Sequence, residues 1–328
     1  MLVTHENTWE SDTVADLIDI GAHKLFISTS GPPRPRGEPV VLFFTGAGGS
    51  VATVCRLQRL LSEHFRVYFH DCGGYDRSGR NPNGSLDAQN GASDLQTLLR
   101  IIGVAPQYVL MGHSHGGIAA RAFMELYRDI PDAIVGLVLA DCGTELAHQP
   151  KLPPASLDAV GKDVDLGELT HLREASQLTD AEWNTAMEAV ERTAKQIEKS
   201  EEIHRSAAVL AWSQQCSRHA LDPWPVSVIR CNMAKDFRMI FDEGVKRGQG
   251  TVQEQMDAVD FLEMFRTYDD DVRSIQLRLS SCNRYVVFED AGHDDLFRRP
   301  EKYVDEVRWV MVEIRKLAKR QSSALMVR

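Results

Sequence analysis

Gln107-Tyr108-Val109-Leu110-Met111-Gly112-His113-Ser114-His115-Gly116-Gly117-Ile118-Ala119-Ala120-Arg121-Ala122-Phe123 decides the fold. The apolar run Tyr108 to Met111 predicts a short buried strand, and the Ala-rich stretch after Gly117 predicts a helix. Gly-His-Ser-His-Gly is the tight turn between them, with Ser114 at its tip. Glycines two residues before and after the serine matter, because a side chain at either place would crowd the neighbouring strand or helix where the backbone doubles back. Such a turn lifts the serine hydroxyl clear of the sheet and aims the following amides at whatever it attacks.

Working outward, the same alternation repeats. On the N-terminal side, Pro39 to Phe44 is an uninterrupted apolar run, as expected of a strand buried on both faces, and it ends in Thr45-Gly46-Ala47-Gly48-Gly49-Ser50. Phe65 to His70 is a second such strand, followed by the loop Asp71-Cys72-Gly73-Gly74-Tyr75-Asp76-Arg77-Ser78-Gly79 and a helix over Ser85 to Ile102. Val14 to Ile20 and Lys24 to Thr29 read as an N-terminal hairpin. On the C-terminal side, Ala133 to Ala140 is another buried strand that stops at Asp141. Val226 to Ile229 and Arg284 to Phe288 add two more, the latter running into Glu289-Asp290-Ala291-Gly292-His293. A terminal amphipathic helix opens at Arg299-Pro300-Glu301, with proline in its favoured first position. The expected fold class is α/β, a doubly wound, mostly parallel sheet whose chemistry gathers at the carboxyl ends of the strands.

The alternation stops between Leu146 and Asp222. Thr179-Asp180-Ala181-Glu182 reads as a capping box ahead of Trp183, Met187, Val190, Ala194 and Ile197, spaced as one helical face. Residues 147–222 are therefore expected to form an inserted helical cap on a core made of 1–146 and 223–328.

Composition narrows the function. A chain of 328 residues, 43% hydrophobic, can bury a large core, and a formal net charge of −10 supplies no basic field for a phosphate backbone. Nucleic acid is not an expected partner. The N-terminus lacks a basic start followed by an apolar core, and no stretch approaches the length of a membrane span, so a soluble cytoplasmic protein is expected. The six cysteines contain no CxxC pair and read as reduced structural thiols, not as a zinc site or disulfide framework. No cofactor or metal is expected.

Four motifs in this order, Thr45 to Gly49, Asp71 to Ser78, Gly112 to Gly116 and Gly292-His293, resemble those of the α/β-hydrolase superfamily, and the resemblance covers about Val14 to Lys316. It implies Ser114 as nucleophile, His293 as its base, and an oxyanion hole from the amides of His115 and Ala47. Gly46, Gly48 and His113 are expected beside the substrate, with Trp183 and Trp212 contributed by the cap. For the acid two positions compete. The commonest family pattern places it after the strand before last, where this chain has Asp236; other members carry it after the strand following the elbow helix, where this chain has Asp141. Asp141 is favoured, since it directly follows Leu137-Val138-Leu139-Ala140, whereas Asp236 comes late and without the expected glycine. Asp71 ends a neighbouring strand, but its Gly-rich loop suggests backbone support.

The expected activity is cofactor-independent serine hydrolysis of an ester, lactone or thioester in a small to medium, largely apolar substrate. A carbon-carbon bond hydrolase or cyclase on the same fold is the near alternative. A ligand-binding protein without catalysis is the alternative of another class.

Overall fold

The computed structural model describes residues 7–82, 85–148, 154–197 and 203–326. An eight-stranded sheet runs through its centre: β1 (Val14–Asp19), β2 (Lys24–Ser30), β3 (Val40–Phe44), β4 (Val67–His70), β5 (Tyr108–His113), β6 (Ile134–Ala140), β7 (Val226–Cys231) and β8 (Asn283–Phe288). In space the order is β1-β2-β4-β3-β5-β6-β7-β8. The hairpin β1-β2 and the pair β2-β4 are antiparallel, and every pair from β4 onward is parallel. Strands β3 to β7 are buried along their whole length, which is why they read as continuous apolar runs without alternation.

Helices cover both faces. In chain order the longer ones are α1 (Cys55–Ser62), α2 (Ala88–Ile101), α3 (Gly116–Leu126), α4 (Asp180–Ile197), α5 (Ile203–Ser213), α6 (Met233–Lys246), α7 (Val252–Ser274) and α8 (Pro300–Met326). Several of them start at a side-chain cap. Asp87 accepts the Asn90 N–H ahead of α2, and Thr251 and Glu254 close a full capping box on α7. At α4 the Thr179 N–H reaches Glu182 Oε2 at 2.9 Å, while the Glu182 N–H reaches Thr179 Oγ1 at 3.3 Å. Among the described residues no helix is long and apolar enough to cross a membrane.

The helices between β6 and β8 occupy two places. Helix α4 sits over the loops that follow β3 and β4: its Arg192 pairs with Asp76 at 2.8 Å, its Thr193 Oγ1 accepts the Asp76 N–H at 3.0 Å, and Glu182 pairs with Arg59. The short helix Ala155–Val160 packs elsewhere. Leu157 and Val160 share an apolar cluster with Phe241 of α6 and Ala258, Phe261, Leu262 and Phe265 of α7. The helical layer at this end therefore draws on the β7-to-β8 connection as well as on 147–222. Residues 149–153 and 198–202 of that expected cap lie outside the described residues.

The face that α4 buries is not the one its large residues mark. Ala186, Ala189 and Thr193 are buried, whereas Met187 and Val190 are about two-fifths exposed. Small side chains let the helix lie close on the turn Val51–Val54, and ion pairs with Arg59 of α1 and Asp76 of the loop after β4 hold it there.

Candidate active site

The turn after β5 has the geometry expected of it. Ser114 takes a left-handed backbone with φ +55, a region costly for any residue but glycine and one that recurs at functional turns. A Cβ on Gly112 would lie 2.6 Å from the Gly116 carbonyl oxygen, and one on Gly116 would lie 2.1 Å from that of Phe44. Neither glycine can be replaced without moving the backbone. The loop after β3 runs against the same serine, since a Cβ on Gly46 would be 3.1 Å from Ser114 Cβ.

Three side chains from three strand ends meet here. His293, in the loop after β8, has Nε2 2.9 Å from Ser114 Oγ and Nδ1 2.5 Å from Asp141 Oδ2. Asp141 follows β6 directly, is 1% exposed, and like Ser114 takes a left-handed backbone, with φ +48. Its second oxygen, Oδ1, accepts the Cys231 N–H from the end of β7 at 3.0 Å and faces Arg273 Nε at 3.4 Å. Burial alone would push the Asp141 carboxyl up, but Arg273 and the bond to His293 outweigh it and hold the group well below the usual carboxylate range. For His293 burial disfavours the imidazolium, yet the hydrogen bond and charge of Asp141 prevail and its pKa is raised.

Asp236, the other candidate acid, reaches the same histidine at its backbone. It sits in the first turn of α6, and its Oδ2 accepts the His293 N–H at 2.6 Å. The approach is so close that a Cβ on Gly292 would fall 1.9 Å from Asp236 Oδ1. His113 supports the loop from behind and is not among the residues that line the cavity bounded by Thr45, Gly46 and His115. Its ring stacks on that of His293 with centroids 4.8 Å apart, and its Nε2 lies 3.2 Å from the His293 carbonyl oxygen. A carbonyl can only accept, so this bond requires the proton on Nε2. Burial, and then the charge of His293, lower the His113 pKa to about 3, so no second cation forms behind the imidazole.

Arg273 escapes sequence reading. It lies on α7 and is buried, with Nη1 donating to the Cys142 carbonyl and Nη2 3.2 Å from Asp269. Its one sequence signal is a charged residue inside the apolar spacing Val272, Ile275 and Leu279. Asp71 supports the backbone as expected: it is fully buried, and its Oδ1 accepts the Val51 N–H at 2.7 Å, fixing the loop after β3, while Oδ2 pairs with Arg77.

Next in the chain to Ser114, His115 lines a cavity with Thr45, Gly46, His70, Asp94 and Ala119. Gly48 lies in the same loop with φ +70. Of the two tryptophans expected from residues 147–222, Trp183 is half-buried under the Arg173 guanidinium, 5.3 Å from its ring. The structure does not bring Trp212 to the site. It is 86% exposed on α5, because that helix buries Ala207 and Leu210 and a residue two positions beyond Leu210 points the opposite way. Among the described residues no group of three or more His, Cys, Asp or Glu side chains is placed to hold a metal ion.

Residues 41–306 match the Alpha/beta hydrolase family. Among curated proteins the chain is similar to "Probable transporter efuK" of Hormonema carpetanum, 30% identical over 325 residues that cover 94% of this chain and 44% of that protein. It is also similar to an AB hydrolase superfamily protein of Gibberella zeae, 29% identical over 325 residues, 94% of this chain and 99% of that one. It thus spans less than half the length of the first and nearly all of the second. Solved structures of like fold include Est816, described as an N-acyl homoserine lactone degrading enzyme, with TM-score 0.52, 16% identity and coverage of 89% of this chain and 99% of that one. A thermophilic esterase from Thermogutta terrifontis superposes with TM-score 0.50 at 20% identity, covering 93% and 99%. At such identities these likenesses speak for the fold alone. With the family match running from β3 into α8, across every strand end that carries the site, the chain belongs to the alpha/beta hydrolase family.

Proposed function

We propose that the protein is a serine hydrolase that cleaves an ester, lactone or thioester of a small to medium, largely apolar metabolite through an acyl-enzyme. The observation that carries this is the unbroken chain Ser114 Oγ, His293 Nε2, His293 Nδ1, Asp141 Oδ2, with steps of 2.9 and 2.5 Å across the ring. A free serine hydroxyl is too weakly acidic to attack a carbonyl, and a base at hydrogen-bonding distance removes that obstacle. Ser114 Oγ adds to the carbonyl carbon as its proton passes to His293 Nε2. The imidazolium then protonates the leaving oxygen or sulfur as its bond to carbon breaks. Water next gives a proton to His293 and its oxygen to the acyl carbon, and Ser114 leaves with that proton restored. Asp141 fixes the tautomer with the proton on Nδ1 and offsets the charge that develops on the ring.

The oxyanion is assigned to the amides of His115 and Ala47. Support comes from the position of His115 at the head of α3, where N–H groups are left over, and from the close run of the Gly46 loop past Ser114. The cap is assigned to 147–222, supported by α4 lying over the loops after β3 and β4. A cytoplasmic setting belongs to the same proposal and is supported by six free thiols. Turnover of a panel of p-nitrophenyl esters by the wild type and by Ser114→Ala tests the function: hydrolysis lost with the hydroxyl supports it, and hydrolysis retained by the variant contradicts it.

A further inference from the structure

The buried charges behind His293 do not end at Arg273. Helix α7 places Asp269 one turn ahead of Arg273, and Asp269 Oδ1 lies 3.2 Å from Arg273 Nη2. Its other oxygen, Oδ2, is 3.4 Å from Nε of Arg230 on β7. Arg230 reaches outward in turn, with Nη1 3.1 Å from Glu289 Oε1 and Nε 3.5 Å from Asp270 Oδ1. From Asp141 to the surface the signs alternate, Asp141, Arg273, Asp269 and Arg230 being buried and Glu289 and Asp270 exposed.

Arg273 is thus shared between two carboxylates, Asp269 and Asp141. Arg273 Nε, Arg230 Nε and Asp269 Oδ2 have no hydrogen-bond partner among the described residues, so the contacts at 3.4 Å act by charge and not by a directed bond. Out of reach of solvent, charges act on one another with little screening. With Asp141 as its one counter-charge, the Arg273 guanidinium would neutralise that carboxylate more fully and weaken its support of the His293 imidazolium. Asp269 draws on the same guanidinium through Nη2 and offsets its positive field at the histidine. Burial raises the Asp269 pKa, with Arg273 and Arg230 working against the rise and Asp141 adding to it.

We propose that Asp269 is a positioning residue of the hydrolytic site: as an anion held between Arg230 and Arg273, it limits the pull of Arg273 on Asp141 and so sets the pH at which His293 becomes a base. This rests on the serine hydrolase assignment and adds to it a residue that touches neither the nucleophile nor the base. The groups that act on His293 are Asp141 from β6, neutral His113 from β5, Asp236 from α6, Asp294 alongside, and Arg273 and Asp269 from α7. A negative Asp269 favours the imidazolium, both directly and by occupying Arg273. Removing its charge therefore makes His293 a weaker base.

The test is the pH dependence of the rate constant for fluorophosphonate labelling in wild type, Asp269→Asn and Asp269→Ser, with thermal unfolding of each and p-nitrophenyl butyrate turnover by the wild type. Labelling reads the Ser114 and His293 pair without a choice of ester, and its rate constant does not depend on how much of a preparation is folded. Asparagine keeps the shape of Asp269 without its charge, and serine leaves room for water beside Arg273. In both variants the acid limb is expected to move to lower pH by about half a pH unit, less than the about 1–3 units that a charge in direct contact produces. A structural role alone would lower Tm and leave the inflection where it is. An inflection unmoved or moved upward in either variant overturns the positioning role. Failure of both variants to fold overturns it as well, the charge then being a need of folding only. Absence of both labelling and hydrolysis in the wild type overturns the serine hydrolase assignment itself.

Discussion

Asp141 Oδ2 lies 2.5 Å from Nδ1 of His293, while the carboxylate of Asp236 accepts that histidine's backbone N–H at 2.6 Å. The two acids that competed in the sequence thus hold one residue, by its ring and by its main chain. Asp141→Asn is expected to lose on the order of a thousandfold or more in kcat, because an amide favours the wrong tautomer. Asp236→Asn keeps an oxygen that can accept the backbone N–H and is expected to stay within about tenfold of wild type, a comparison made on a single ester at one pH. The converse ranking would move the acid to Asp236.

The pH dependence follows from the neighbours of His293. The base must be neutral to accept the Ser114 proton, and its raised pKa means that activity climbs as pH rises through a value above the ordinary 6.5. Facing it are the negative Asp141 from β6, Asp294 alongside, Asp236 from α6 and the positive Arg273 from α7, with neutral His113 from β5. Removing the positive charge stabilises the imidazolium, so Arg273→Met should shift the acid limb of kcat/KM to higher pH, and Arg273→Lys should return most of that shift. An inflection that stays put or moves down would show that Arg273 does not act on the base.

A second buried arginine ties the elbow helix to the segment after β6 and to the one ahead of β7. Arg121 on α3 is fully buried, bonds Glu145 through both Nη atoms, and donates through Nε to Gln215 at 3.1 Å. Arg121→Met leaves the Glu145 charge buried and should cost about 3–5 kcal/mol in denaturant unfolding. Burial favours the neutral Glu145 acid, but Arg121 outweighs it and holds the pKa at about 2, below the ordinary 4.5. The pair's contribution is therefore complete above that ordinary value and is lost as pH falls through about 2, so the gap between wild type and variant should narrow over that range.

The two cap tryptophans should behave differently. Trp212→Ser, at a position 86% exposed, is expected to leave stability within about 0.5 kcal/mol and relative ester rates unchanged. Trp183→Ala should change the ratio of bulky to small esters, because α4 lies over the strand ends where Ser114 emerges. Unchanged ratios with a lowered Tm would make Trp183 part of the packing only.

The sheet and the elbow were legible because their signals are local: a strand buried on both faces is a short apolar run, and a sharp turn demands glycine at fixed offsets. Asp141 could be picked out because it ends such a run. The face of α4 could not, since the helix that buries Ala186, Ala189 and Thr193 is held by ion pairs to Arg59 and Asp76, more than a hundred residues away in sequence. Arg121 was silent for the same reason, and Arg273 left only a charge within an apolar spacing. A buried charge reads as surface until the partner that neutralises it is known.

The most direct measurement is peptide mapping of the protein after reaction with a fluorophosphonate, with residual ester turnover followed in the same sample. The adduct should sit on Ser114 alone, and turnover should fall in step with its formation. An adduct on another serine, or full turnover with Ser114 unmodified, would contradict the assignment of Ser114 as the nucleophile.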